Sequence, residues 1–151
     1  MGHQEYKERT IAKYTDLIVW QEARKLAKMV YALTSEFPID EKYGLSSQMK
    51  RAAVSVPSNI AEGFGRASAR EKNQFYYIAN GSLVEVETQA YIASDVTFLK
   101  ATGLQRLLHQ TTLTQKLLYG LIKANKERLW YWINAIIHNL KSIIYVKSNW
   151  P

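Results

Sequence analysis

At 151 residues, with 47% hydrophobic residues and no cysteine, the chain is long enough to bury one core without disulfides, and its length predicts a single domain. Lack of thiols excludes a disulfide scaffold, and the opening MGHQEYKERTIAKY has no apolar run of the kind a signal peptide needs, so the expected location is the cytoplasm. The net charge of +7 is uneven: residues 1–60 carry 9 Lys/Arg against 7 Asp/Glu, residues 61–100 carry 4 against 5, and residues 101–151 carry 7 against 1. A basic field on one side favours nucleic acid first and an acidic protein or membrane surface next, against the plainer reading of a solvated face kept for solubility.

Residues 1–13 are polar and mixed in charge and read as a flexible N-terminal arm. From Thr15 the pattern turns helical. Val19, Ala23, Leu26, Val30, Leu33 and Phe37 form one stripe that Trp20, Ala27 and Tyr31 widen. Thr15 or Asp16 is placed to cap the start, and Pro38 marks the end. Trp20 and Tyr31 are assigned to packing rather than to a platform for bases, because aromatics on an apolar stripe are usually buried.

After the turn-forming loop PIDEKYG, a second helix is expected from about Ser46 to Glu62, with Leu45, Met49, Ala52, Ala53, Val56 and Ile60 on one face. Pro57 lies inside it and predicts a kink, with Ser55 or Ser58 available to freed backbone groups. Gly63 and Gly65 are expected to stop the helix. Ser68 and Glu71 form the S-x-x-E pattern of a capping box for a third helix over Ala69–Lys100. Its expected apolar face holds Phe75, Ile78, Ala79, Leu83, Val86, Ala90, Ala93, Val96 and Leu99. Gly81, in the middle, suggests a close helix crossing.

Thr102-Gly103 is expected to end that helix, and a fourth starts near Leu104 with Leu107, Leu108, Leu117, Leu118, Leu121 and Ile122 in register. Short connections predict an all-α, antiparallel up-and-down four-helix bundle over residues 14–124. Beyond it, residues 125–151 form a C-terminal helical extension: Leu129, Ile133, Ile136, Ile137, Leu140, Ile143 and Ile144 keep helical spacing. This extension either prolongs the fourth helix or folds back near Asn125, packing on the bundle or on a neighbouring subunit. Trp130, Tyr131 and Trp132 beside Lys126 and Arg128 also suit a membrane surface, but a span is excluded by Asn134, His138, Asn139 and Lys141.

Three separated motifs carry a family resemblance. These are Asp16-Leu-Ile-Val-Trp-Gln21, the run from Leu45-Ser-Ser-Gln48 through Arg51-Ala-Ala-Val-Ser-Val-Pro-Ser-Asn-Ile-Ala-Glu-Gly-Phe-Gly-Arg66, and Gly81-Ser-Leu-Val-Glu85. Over Tyr14–Lys123 the chain resembles the 23S rRNA-intervening-sequence family of four-helix-bundle proteins. It is also similar to the accessory protein of diversity-generating retroelements. That resemblance implies a basic bundle assembled as a homopentamer that works with a reverse transcriptase and nucleic acid.

No catalytic constellation is legible. His3, His109 and His138 have no second His or carboxylate at i+3 or i+4, the serines lack a nucleophile elbow, and Gly63-Phe64-Gly65-Arg66 is neither a phosphate loop nor a dinucleotide fingerprint. No metal site and no cofactor are expected. Glu62 reads as a structural partner of Arg66 or Arg51 before it reads as a catalytic acid. Charge and resemblance together nominate Lys50, Arg51, Arg66, Arg70, Lys72, Lys116, Lys123, Lys126 and Arg128 for contacts to the backbone of RNA or DNA, with little base readout. The alternative is a protein-interaction scaffold that recruits an enzyme such as a polymerase without touching nucleic acid.

Overall fold

The computed structural model describes the backbone of residues 12–148 and the side chains of residues 12–127. Most of the expected arm, the extension's last three residues and the side chains from Arg128 onward lie outside the described residues.

Four helices result: α1 (Ile18–Thr34), α2 (Leu45–Phe64), α3 (Ala69–Asp95) and α4 (Ala101–Ser148). Each packs on its neighbours in sequence and α4 closes against α1, while among the described residues no contact crosses the diagonal. This is the up-and-down bundle the periodicity predicts. Its core is aliphatic and small: Ala23, Leu26, Val30, Met49, Ala53, Val56, Ile60, Ala79, Val86, Ala90, Leu107 and Leu118 are fully buried. Burial of this kind contributes about 25 cal/mol per Å² of apolar surface removed from water.

Local chemistry decides each boundary. Asp16 caps a short 3-10 turn at Tyr14–Asp16 rather than α1: its Oδ2 accepts from the Lys13 amide at 3.0 Å and the Ala12 amide at 3.2 Å. α1 then starts behind Leu17 without a side-chain cap. Glu41, in a second 3-10 turn, supplies what α2 lacks, its Oε2 accepting from the Leu45 amide at 2.7 Å.

Helix α2 runs unbroken through Pro57. Just beside the proline, Ser58 Oγ donates to the Val54 carbonyl at 2.8 Å and Asn59 Nδ2 to the Ser55 carbonyl at 2.8 Å. Of the two glycines expected to stop the helix, Gly65 does so as the cap behind Phe64, while Gly63 is the buried penultimate residue of α2. Gly65 has φ −75°, so no left-handed turn is involved. The Ser68–Glu71 capping box forms as expected, the Glu71 amide donating to Ser68 Oγ and the Ser68 amide to Glu71 Oε2.

α3 stops at Asp95, five residues short of the expected Lys100. Thr97 adopts φ 64°, and the amides of Phe98 and Leu99 both turn back to the Ala93 carbonyl, at 2.8 and 3.0 Å. Gly103, expected as a terminator, is buried inside α4 instead; a methyl there would meet Leu99 Cδ1 at 2.7 Å and Leu33 Cδ2 at 3.2 Å.

Two further expectations fail, one on α3 and one on α1, although Ala79, Leu83, Val86, Ala90 and Ala93 of the expected α3 face are buried as predicted. Tyr76, absent from the expected face, is 1% exposed, whereas Ile78 and Val96 are exposed. Tyr31, assigned to the core, is 50% exposed, and the ammonium of Lys50 sits 5.3 Å above its ring. Trp20 does pack against the core, edge-on to Tyr14.

α4 passes through Asn125 without a break and has 48 residues, roughly 72 Å at 1.5 Å per residue. Of the two routes open to residues beyond 124, the backbone takes the first, prolonging α4 to Ser148.

Candidate nucleic-acid interface

The nominated basic residues are scattered in sequence, and the antiparallel topology sorts them. α2 ends at Phe64 where α3 begins, so Arg66, Arg70 and Lys72 share one end of the bundle. α4 reaches the same end: Asn125 Nδ2 donates to Asn73 Oδ1 at 3.1 Å, and Asn73 Nδ2 to the Ile122 carbonyl at 3.5 Å. Lys123 and Lys126 are therefore brought beside the first turns of α3. Lys50 and Arg51 are not: they lie near the start of α2, about 20 Å away along the helix at 1.5 Å per residue. Lys116 is exposed part-way along α4, and the Arg128 side chain lies outside the described residues.

Several of these cations already have partners. Lys72 Nζ donates to the Phe64 carbonyl at 2.7 Å, closing the C-terminus of α2 where the helix dipole favours positive charge. Arg66 pairs with Glu62, as one of the two expected pairings had it, and its guanidinium stacks 4.5 Å from the Phe75 ring centroid. Arg51 donates to Ser47 Oγ at 2.6 Å rather than reaching Glu62. Lys123 lies 3.7 Å from Glu127. Exposed pairs of this sort exchange readily for other anions because they contribute little, about 0–1 kcal/mol.

Between α3 and α4 at this end lies an open groove lined by Arg70, Gln74, Tyr77, Ile78 and Lys126, floored by Asn73. Lys126 Nζ stands 5.6 Å from the centroid of the Tyr77 ring, which is 46% exposed. Tyr77 is not legible from apolar periodicity, since it lies off the stripe; the available signal is an aromatic seven residues after Arg70. On α4, Lys116, Tyr119, Lys123 and Lys126 recur at spacings of three and four and so share one exposed face. Tyr119 is 49% exposed.

Elsewhere on the surface, Ile78, Val84 and Ile92 form an exposed apolar stripe along α3. Gly81 sits within it, and a methyl there would touch nothing within 4 Å. The close crossing expected at Gly81 is instead at Gly63, where a methyl would lie 2.6 Å from Tyr76 Cε1 and 3.0 Å from both Phe75 Cβ and the Lys72 carbonyl oxygen.

Burial holds the Tyr76 phenol above its usual pKa, with Asn125 partly opposing the shift. Glu22 and Glu71 are held below the usual carboxylate range, the first by hydrogen bonds from Lys25 and Gln110, the second by those from Ser68. None of these lies in a cleft with a partner for acid–base work. Among the described residues no group of three His, Cys, Asp or Glu side chains is placed to hold a metal, and no helix is long and apolar enough to cross a membrane.

Comparison with known proteins agrees with this architecture. Residues 15–120 match the family model described as 23S rRNA-intervening sequence protein. The chain belongs to that family. A member of the S23 ribosomal protein family from Bacteroides thetaiotaomicron VPI-5482, solved as a protein of unknown function, superposes with a TM-score of 0.66 at 20% identity. The match covers 70% of this chain and 99% of that one, so the shared element is the fold. No functionally curated protein matches the sequence. The 23S rRNA-intervening sequence match stops at residue 120, so Lys123, Lys126 and the rest of α4 lie beyond it.

Proposed function

We propose that this member of the family is a non-enzymatic, cytoplasmic nucleic-acid-binding bundle that contacts the phosphate backbone of RNA or DNA. The observation that carries this reading is the convergence of Arg66, Arg70, Lys72, Lys123 and Lys126 on one end of the fold. Glu62 and Glu127 pair with Arg66 and Lys123 of this set in exposed ion pairs, and the Glu71 carboxylate is held in the cap of α3.

Assembly as a homo-oligomer, with five copies as the resemblance implies, belongs to the same reading. It is supported by the exposed apolar stripe on α3 and by the amphipathic pattern past residue 125, since patches of this kind mark contacts between chains. Repetition would multiply the basic field without adding a residue. A role as accessory to a reverse transcriptase or another nucleic-acid enzyme follows if that enzyme works on the bound strand.

The test is binding to a structured RNA and a DNA duplex across a salt series. The expected result is affinity falling linearly in log–log form, with a slope of about −0.9 per phosphate neutralised on duplex DNA. Arg70→Glu with Lys126→Glu is expected to remove most of the binding, and Lys50→Glu with Arg51→Glu to remove less. No binding at about 50 mM salt overturns the proposal. It would then favour the scaffold alternative, for which the α3 stripe is the specific support.

A further inference from the structure

The groove beside Tyr77 and the Lys116–Lys126 face of α4 have a feature that phosphate contacts alone do not require, namely two exposed tyrosines set among cations. Tyr77 has Arg70 two turns before it on α3 and the ammonium of Lys126 over its ring. Tyr119 lies between Lys116 and Lys123 on α4. Tyr91, equally exposed, lies instead between Glu87 and Asp95 one turn to either side on α3.

We propose that this surface is a track for single-stranded nucleic acid, with one base stacked on Tyr77, another on Tyr119, and the intervening phosphates on Arg70, Lys116, Lys123 and Lys126. The proposal rests on the nucleic-acid reading above and narrows it from any polynucleotide to an unpaired one.

Three physical points support it. A duplex keeps its base faces stacked inside, so an aromatic surface side chain gains nothing from it, whereas an unpaired base presents its face. The groove is lined by two cations and by no carboxylate, which suits a polyanion. Arg70 and Tyr77 are about 10 Å apart along α3, the rise of about three nucleotides at 3.4 Å each. Stacking is indifferent to sequence, so recognition through this track would be of strandedness rather than of bases.

The experiment measures binding of fluorescent twelve-nucleotide oligo-dT and oligo-U, and of a twelve-base-pair DNA duplex, to the full chain and to Tyr77→Leu, Tyr77→Phe, Tyr119→Leu and Tyr91→Leu. Thermal melts of each variant verify folding. For Tyr77→Leu and for Tyr119→Leu the single-strand Kd is expected to rise about tenfold, within what loss of one stacked base entails. Duplex affinity and the salt slope should stay as in the parent, Tyr77→Phe should restore single-strand binding, and Tyr91→Leu should change nothing. Agreement between the oligo-dT and oligo-U arms supports a track blind to both the sugar and the thymine methyl, and a loss confined to one arm still supports stacking while assigning the polymer that the track prefers. Unchanged single-strand binding in both Leu variants, or equal losses on single strand and duplex, overturns the track and leaves the phosphate-binding reading standing. A parent chain that binds none of the three at about 50 mM salt overturns both.

Discussion

Helix α3 is joined to its two neighbours by opposite means. Against α2 it closes over a missing side chain: Gly63 brings the α2 backbone to within one methyl of Tyr76, Phe75 and the Lys72 carbonyl, and Ser82 donates to Ser55 Oγ at 2.8 Å. Against α4 it closes through amides, Asn73 with Asn125 at one level and Asn80 with Gln115 at 3.0 Å at another. The first seam fixes distance. The second fixes register, because sliding α4 by one turn of 5.4 Å would leave both amide pairs without partners. The difference teaches why the basic end exists at all: the register set by Asn73 and Asn125 is what places Lys126 over Tyr77.

The largest effect should come from the tight seam. Gly63→Ala is expected to destabilise by about 1–3 kcal/mol in chemical denaturation, since the added methyl has no space and one of its neighbours is backbone. Helix propensity alone predicts a gain of about 1 kcal/mol, so a more stable variant would refute the close crossing.

The amide seam should answer next. Asn125→Ala strips the donor from the buried Asn73 Oδ1 and is expected to cost about 1–3 kcal/mol. A double variant with Asn73→Ala should lose less than the two singles added together, and strict additivity in that cycle would mean that the pair does not couple.

On the face away from both seams, Gly81→Ala should stabilise by about 0.5–1 kcal/mol, because a methyl there meets no atom and helical glycine is entropically unfavourable. If it destabilises instead, Gly81 is packed against something, and the α3 stripe is an interface in solution.

The smallest effect is the pH response of the seam between α1 and α4, where Gln110 Nε2 donates to Glu22 Oε2 at 2.8 Å and to the Glu22 carbonyl at 3.1 Å. Hydrogen bonds from Lys25 and Gln110 lower the folded pKa of Glu22 below the ordinary 4.5. Its contribution is therefore complete above the unfolded value and is lost as pH falls through the folded one. Unfolding midpoints measured between pH 3 and 6 should fall with acid in the parent and fall less in Glu22→Gln; identical profiles would assign the acid response elsewhere.

Individual residues show how far pattern could carry the reading. Stripes such as Val19-Ala23-Leu26-Val30 and Met49-Ala52-Ala53-Val56-Ile60 are buried as their spacing predicts, because a long amphipathic helix has one face to hide. The Ser68–Glu71 box was legible because its geometry is local. Glycines were not: Gly63 and Gly103 read as terminators and Gly81 as a crossing, and what separates them in the fold is whether another helix lies within 4 Å. Nor was Tyr77, whose meaning depends on Lys126, forty-nine residues away in the chain.

The sequence by itself determined four amphipathic helices, their order, the capping of α3 and an excess of positive charge toward the C-terminus, since each of these depends on residues within a few turns of one another. The tertiary structure decided which glycine closes a crossing, that Tyr76 is core and Tyr31 is not, and which of nine candidate cations share one end of the bundle. Those are distances between helices, and helix-to-helix distance and register follow from the volume and hydrogen bonding of facing side chains, which no single helix encodes.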